Sequence, residues 1–302
     1  MAYEVEWLIK DFVRFKQSQG RDSNTLHQYR REIELFFKRH DVDMENYHRL
    51  RHELYDYLSM YQNPYTYNIK LTYLKAFFAW CVEEGVIDDN PLKHLSKRKT
   101  PTKVNHGVTI EVVRKILDLC DLTTFAGLRD YALILFSMDT GARPNEALNV
   151  MPEDCNFKQS DVVIRAETSK VRQERVLPIT YATAKAMRDL IAMHHPSWGK
   201  LPVFCSSTGK PFTPYNWCKR LRMYSNMVGV RVRPYDLRHL FAITYLRNGA
   251  SPFHVQKMLG HEGLEMTRRY IALSQADIKE GHVKSSPVEV CLKPTVKRVR
   301  GL

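Results

Sequence analysis

Apolar residues recur at helical spacing through about the first ninety positions, in Trp7, Leu8, Phe12 and Phe15 and again in Tyr29, Ile33, Phe36 and Phe37, which predicts amphipathic helices. Gly20 stops the first helix, and Ser23 and Asn24 are N-caps for the second. A later helix over about 64–84 turns Leu71, Leu74, Phe77, Phe78 and Val82 inward, with Gly85 after it. Four such helices close a small bundle.

From Val108 onward the pattern is again mainly helical, with helices expected over about 180–194, 214–228, 236–248, 252–259 and 265–274. Gly249 is a stop signal, and Ser251 followed by Pro252 is an N-cap with proline at the first helical position. One stretch changes period: 161–166 and 175–179 are β-rich runs joined by polar residues 167–174. This predicts a hairpin with Lys170 on its turn. Thr140-Gly141 breaks a buried helix, which lets the following Arg143 aim its side chain into a cleft.

Composition narrows the class. With 44% apolar and 26% charged residues over 302 positions, the chain is a globular protein with room for two domains. Its longest apolar run, around Tyr131 to Phe136, is too short for a membrane helix, and Glu4, Glu6, Lys10 and Asp11 stand where a signal peptide would be apolar. The six cysteines show no paired metal spacing, so reduced, mostly buried thiols in a cytoplasmic, nucleoid-associated protein are expected, with no metal and no membrane partner.

The net charge of +13 points to a polyanionic partner. Residues 1–92 hold 12 Lys and Arg against 15 Asp and Glu, so an excess of 16 lies beyond them. KHLSKRKTPTK, residues 93–103, has five basic residues and no acid. It reads as an extended linker, either a solvated spacer or a strap laying Lys97, Arg98 and Lys99 along phosphates.

Three segments carry chemistry: TGARPNEAL with Arg143, PYDLRHLFA with Arg238, and LGHEGLEMTRRY with His261 and Tyr270. In this order, with a hairpin lysine between them, they resemble the tyrosine recombinase (phage integrase) family, and the Asn90-Pro91 break before the basic stretch resembles the end of its core-binding domain. The resemblance implies a mainly α fold: a four-helix, SAM-like core-binding domain (1–94), a basic linker (95–106), and an α+β catalytic domain with a small antiparallel sheet and a C-terminal tail (107–302).

Residue chemistry agrees with that likeness. Attack on a phosphodiester builds charge on its non-bridging oxygens, and two forked guanidiniums, Arg143 and Arg238, suit it. Lys170 is the expected acid for the leaving 5′-oxygen, and His261 the expected hydrogen-bond donor to the phosphate. Tyr270 is the expected nucleophile, its phenolate favoured by Arg268 and Arg269. Glu146 and Asp236 are expected to orient the arginines. Tyr235 stands where most of the family has histidine, and a phenol is a poor proton acceptor near neutrality. The resemblance implies no cofactor, and no phosphate-binding GxxxxGK[ST] loop is present.

The resemblance further implies a clamp of two helices on double-stranded DNA with inverted-repeat core sites. One carries Tyr67 and Lys70, the other Thr213, Asn216, Lys219, Arg220 and Arg222; both could equally be ordinary surface helices. The tail, with Val288, Val290 and Leu292, is expected to link four subunits on two sites, and accessory DNA-bending proteins stay open as partners. The expected activity is site-specific recombination through a 3′-phosphotyrosine and a Holliday junction, for a mobile element or Xer-like resolution. The rivals are a type IB topoisomerase-like strand transferase and a catalytically impaired DNA-binding protein.

Overall fold

The computed structural model describes residues 2–40, 42–101, 108–169, 172–263, 267 and 270. The chain divides into two units, Met1–Val104 and Asn105–Leu302. In the first, helices α1 (Ala2–Ser18), α2 (Ser23–Arg39), α3 (Tyr47–Ser59) and α4 (Pro64–Glu83) follow one another. Helix α2 is capped by Asp22, one residue before the expected pair, whose Oδ1 accepts from Thr25 N–H at 3.0 Å. Phe12, Ile33, Phe36, Leu54, Leu74, Phe77 and Phe78 fill the core. Phe12 meets Phe77 edge-on at 5.4 Å and Phe36 meets Tyr57 at 5.3 Å, a favourable ring geometry beyond area burial alone. Trp7, counted in the inner stripe, is 60% exposed.

The basic stretch expected as a linker folds back along α4. Asn68 Nδ2 donates to Arg98 O (2.8 Å), Arg98 N–H donates to Asn68 Oδ1 (2.8 Å), and Lys75 Nζ donates to Lys93 O and Leu95 O. The Arg98 guanidinium stacks 3.8 Å over the Tyr67 ring and donates to Tyr61 O at 2.8 Å. Residues 93–101 are thus a strap on the first unit; 102–106 lie outside the described residues.

Two expected DNA contacts on α4 are corrected here. Tyr67 is buried beneath Arg98. Lys70 is buried and paired with Glu32, its ammonium 5.1 Å from the Tyr61 ring. Burial pushes the Glu32 carboxyl up, but hydrogen bonds from Lys70 and Arg31 outweigh it and hold its pKa below the usual value. A cation enclosed this way between α2 and α4 cannot reach a solvent phosphate.

In the second unit, α6 (Phe125–Thr140) is the central helix, and α8 (Tyr181–Ala192) and α10 (Pro234–Arg247) pack on it. Around it lie α5 (Ile110–Asp118), α7 (Pro144–Leu148), α9 (Pro214–Val228) and α11 (Pro252–Leu259). The sheet is antiparallel in the order β1 (Cys155–Asn156), β2 (Asp161–Ile164), β3 (Arg175–Pro178). Val162 faces Leu177 and Ile164 faces Arg175. Strand β1 has no sequence signal, since two residues cannot show an alternation. Val162, Ile164 and Leu177 turn into the core with Phe136, Phe204, Met187 and Trp217, while Val176 faces out. Cys81, Cys120 and Cys205 are buried, whereas Cys218 is exposed on α9. Among the described residues, no helix is long and apolar enough to cross a membrane.

The buried pair in the first unit yields a stability prediction. Lys70→Ala should lower the stability of that unit by about 3–5 kcal/mol, because it strands the Glu32 carboxylate. Glu32→Leu with Lys70→Met should recover most of the loss in urea unfolding of the full chain. A cost under about 1 kcal/mol for the single variant would contradict this account of α2 on α4.

Candidate active site

Helix α6 ends at Thr140, whose Oγ1 donates to Phe136 O (2.6 Å) and accepts from Ala142 N–H (3.2 Å). Gly141 then takes a left-handed φ of +63°, where a Cβ would lie 2.3 Å from the Phe241 ring. This turn delivers Arg143 to the N-cap of α7. Its backbone N–H donates to Glu146 Oε2 and its Nη1 to Glu146 Oε1, both at 2.9 Å.

Helix α11 ends in the same space. Gly260, at φ +61°, closes it with Gly260 N–H on Lys257 O and His261 N–H on Gln256 O. The terminal carbonyls of a helix have no partner within it and form its negative pole. Here three consecutive carbonyls each receive a guanidinium. Arg175 Nε donates to Met258 O, Arg238 Nη2 to Leu259 O, and Arg143 Nη2 to Gly260 O, each at 3.0 Å. Arg238 Nη1 also donates to Gly141 O at 2.7 Å, which ties the end of α6 to the end of α11. Arg175 forks onto Glu146 at 2.6 and 3.3 Å.

Donor accounting shows what these posts leave free. A guanidinium has five N–H groups. Among the described residues, Arg143 uses two in its side-chain bonds to Glu146 and Gly260, and Arg238 uses three, to Gly141, Leu259 and His261. Both keep N–H groups for a further acceptor, on side chains whose positions are already fixed.

The electrostatics favour an anion. Two arginines, Arg143 and Arg175, share one buried carboxylate, Glu146, and Arg238 stands within its electrostatic reach. Burial raises the Glu146 pKa, but Arg175 and Arg143 outweigh it and the net value is lowered. Burial and the neighbouring Arg143 together push Arg238 down to about 10, with Glu146 opposing. Arg238 therefore stays charged at neutral pH while being poorly compensated, and a bound anion would relieve that.

His261 and Tyr270 border the cluster. Because a guanidinium only donates, the Arg238 Nη2 contact at 3.0 Å makes His261 Nε2 an acceptor, so Nδ1 carries the proton and donates to Thr267 Oγ1 at 2.9 Å. The Tyr270 ring stacks over His261 at 6.4 Å and 8°, lies 5.0 Å from the His239 ring, and packs against the cluster of Phe241, Val255 and Leu259. A depression of about 350 Å³ opens beside His261, Gly260 and Arg175. No three His, Cys, Asp or Glu side chains among the described residues are grouped to hold a metal ion.

Several expected residues stand elsewhere. Lys170, Arg268 and Arg269 lie outside the described residues, as do Val288, Val290 and Leu292. Tyr235 is 62% exposed on the first turn of α10, one turn before Arg238. Asp236 was expected to orient the motif arginines. It instead caps α10, accepting from Arg233 N–H (2.9 Å) and pairing with the Arg233 guanidinium (2.8 Å). Arg220, expected on DNA, is drawn inward: its Nε donates to the fully buried Asp130 at 2.5 Å and its Nη2 to Tyr224 Oη at 3.0 Å. Asp130 also receives Arg129 at 2.7 Å, so this network docks α9 on α6. Thr213 caps α9, its Oγ1 accepting from Asn216 N–H at 3.2 Å, and Lys219 and Arg222 are exposed on that helix. Lys97 and Lys99 are exposed on the strap.

Sequence reasoning missed Arg175. The available signal was its register, on the same side of β3 as the buried Leu177. An arginine on an inward-facing strand position needs an acid partner, and Glu146 is that acid.

Known proteins resemble this chain over most of its length. Residues 107–277 match the phage integrase family. Tyrosine recombinase XerC of Thermodesulfovibrio yellowstonii is 25% identical over 296 residues, covering 94% of this chain and 97% of that protein. Tyrosine recombinase XerD of Xanthomonas axonopodis pv. citri is 27% identical over 306 residues, covering 93% and 97%. Among solved structures, the Tn1549 transposon integrase in complex with a circular intermediate DNA shares the fold, with a TM-score of 0.73 at 16% identity over 93% of this chain and 98% of that one.

The shared carboxylate yields a pH prediction. Because the Glu146 pKa is lowered on folding, its contribution is complete above the ordinary glutamate value of 4.5 and is lost as the pH falls through the lower folded value. Glu146→Gln should therefore cost about 3 kcal/mol at pH 7. In urea unfolding at stepped pH, the gap to the parent should close below 4.5. A gap that stays constant into acid would contradict the pairing.

Proposed function

Because the chain belongs to the phage integrase family and is a tyrosine-type site-specific DNA recombinase, we propose that it cleaves and rejoins duplex DNA through a 3′-phosphotyrosine at Tyr270. The observation that carries this reading is the convergence of Arg143, Arg238 and His261 beside the Tyr270 ring.

In the proposed reaction the Tyr270 hydroxyl gives its proton to water as its oxygen attacks the scissile phosphorus, the bond to the 5′-oxygen breaks, and the departing oxygen takes a proton from Lys170. The free N–H groups of Arg143 and Arg238 receive the non-bridging oxygens as their charge grows. They are held in place beforehand, so little reorganisation is needed. His261 must shift its proton from Nδ1 to Nε2, giving up its contact with Arg238 and accepting from the Thr267 hydroxyl instead, to donate to the same phosphate. Tyr235 supplies a hydrogen bond from the exposed first turn of α10 and does not take the phenol's proton. Attack by a 5′-hydroxyl on the phosphotyrosine reverses the sequence and rejoins a strand, so the bond energy is kept and no nucleotide is consumed.

The reading extends to the wider assembly. Lys97 and Lys99 on the strap, and Lys219 and Arg222 on α9, contact the phosphate backbone, with Asn216 as the polar group on the same helix. Core sites are inverted repeats, exchange passes through a Holliday junction, and four protomers act on two sites. The element served is mobile or of the Xer resolution type, and the protein works in the cytoplasm at the nucleoid.

The decisive test uses a nicked duplex carrying the end of the host element. The parent should form an SDS-resistant protein–DNA adduct, and Tyr270→Phe should form none. Arg143→Ala and Arg238→Ala should reduce adduct formation by about 100-fold or more, the scale of losing one transition-state donor. An adduct of equal yield in Tyr270→Phe would remove Tyr270 as nucleophile.

A further inference from the structure

Away from the arginine cluster on α11, a second basic depression lies where α9 runs out and α10 begins. It encloses about 800 Å³, and Arg222, Arg231 and Arg233 stand on its walls with Asn226. Its shape follows from the local sequence. Gly229, at φ +70°, ends α9. The chain then runs extended through Arg231, Val232 and Arg233, where Val232 is buried and both arginines are exposed. Successive residues of an extended segment face opposite ways, so Arg231 and Arg233 share the outer face.

The segment is locked to α9. Ser225 Oγ accepts from Val232 N–H at 2.8 Å and lies 3.2 Å from Val232 O. Arg222, one turn before Asn226 on α9, faces the same space. Arg233 is committed to Asp236, but Arg222 and Arg231 make no hydrogen bond or ion pair with any described residue. Two uncompensated guanidiniums are therefore held on a rigid frame around an open hollow.

The geometry points to this hollow as a docking site for a backbone phosphate of duplex DNA. The inference rests on the reading that the chain acts on DNA, and it assigns Arg231 and the α9–α10 junction a part in it. Guanidiniums pair with phosphate through two N–H groups at once, which suits the exposed forks of Arg222 and Arg231. The lining offers no aromatic face on which a base could stack, so a strand's backbone fits it better than a nucleotide. Arg233 precedes Arg238 by five residues, about 7.5 Å along α10 at 1.5 Å per residue.

The test is the salt dependence of binding to a duplex of arbitrary sequence, read by fluorescence anisotropy. Each phosphate contact contributes about 0.9 to the slope of log affinity against log salt. Removing the one docked phosphate with Arg222→Ala and Arg231→Ala together should flatten the slope by about 0.9, and Arg231→Ala alone should flatten it by a part of that. Arg231→Lys should restore most of it, which separates loss of charge from loss of fold. Both positions are exposed, and an unchanged melting temperature checks that the variants fold.

If the parent binds duplex but the alanine variants keep its slope, the dock is wrong while the reading as a DNA enzyme stands. If the parent binds no duplex at any salt, that reading fails first. Inorganic phosphate at millimolar concentration is the third arm. Were it to stabilise the parent but not Arg231→Ala, with the duplex slopes equal, the hollow would be a free-anion site and the proposal would be overturned.

Discussion

Three arginine side chains end on three successive carbonyl oxygens at the close of α11, and the catalytic half of the molecule is organised by that contact. Free carbonyls at a helix end usually face water. Here they are fixed posts, and each guanidinium that docks on them comes from a different element: β3, the start of α7, and α10. Gly260 makes the posts possible, because its left-handed backbone turns the chain sharply enough to leave them open to the arginines. Gly141 does the same at the end of α6 and adds a fourth carbonyl.

Such an arrangement is costly in isolation. Guanidiniums taken out of water lose solvation worth several kcal/mol each, and one glutamate among three arginines restores only part of it. The outcome is a site that folds with an unsatisfied demand for negative charge. Helix α6 links this to the surface, since Asp130 near its beginning holds α9 through Arg220 while its last turn presents Gly141. Whatever binds along α9 is thus registered, through a single buried helix, against the arginine cluster at the end of α11.

Much of this was legible beforehand, for identifiable reasons. Helices with glycine stops and proline starts, such as 214–228 and 252–259, were placed to the residue, since those signals act on the backbone itself. Arg143, Arg238, His261 and Tyr270 stood out because their spacing matched a family pattern, and the fold brings them together. What sequence could not show was burial. Lys70 and Arg220 lie on helices expected to face DNA, yet Glu32 and Asp130 pull them inward, and nothing local marks those long-range partners. Asp236 looked like a partner for the motif arginines but sits within reach of Arg233 at the helix start, where capping geometry takes precedence. The strap along α4 reads as a linker because its anchors are backbone carbonyls and one stacked ring, which leave no periodicity.

The central claim is that the helix-end carbonyls hold two guanidiniums so that both face one phosphate with Tyr270 behind it. A crystal structure of the Tyr270→Phe protein on an uncleaved duplex tests that directly. The account predicts one phosphate within hydrogen-bonding distance of Arg143 and Arg238 together, the Leu259 and Gly260 carbonyl bonds intact, and the residue 270 ring in line with the bond to be broken. A phosphate held by only one of the two arginines, or guanidiniums that leave their carbonyls to reach it, would contradict it.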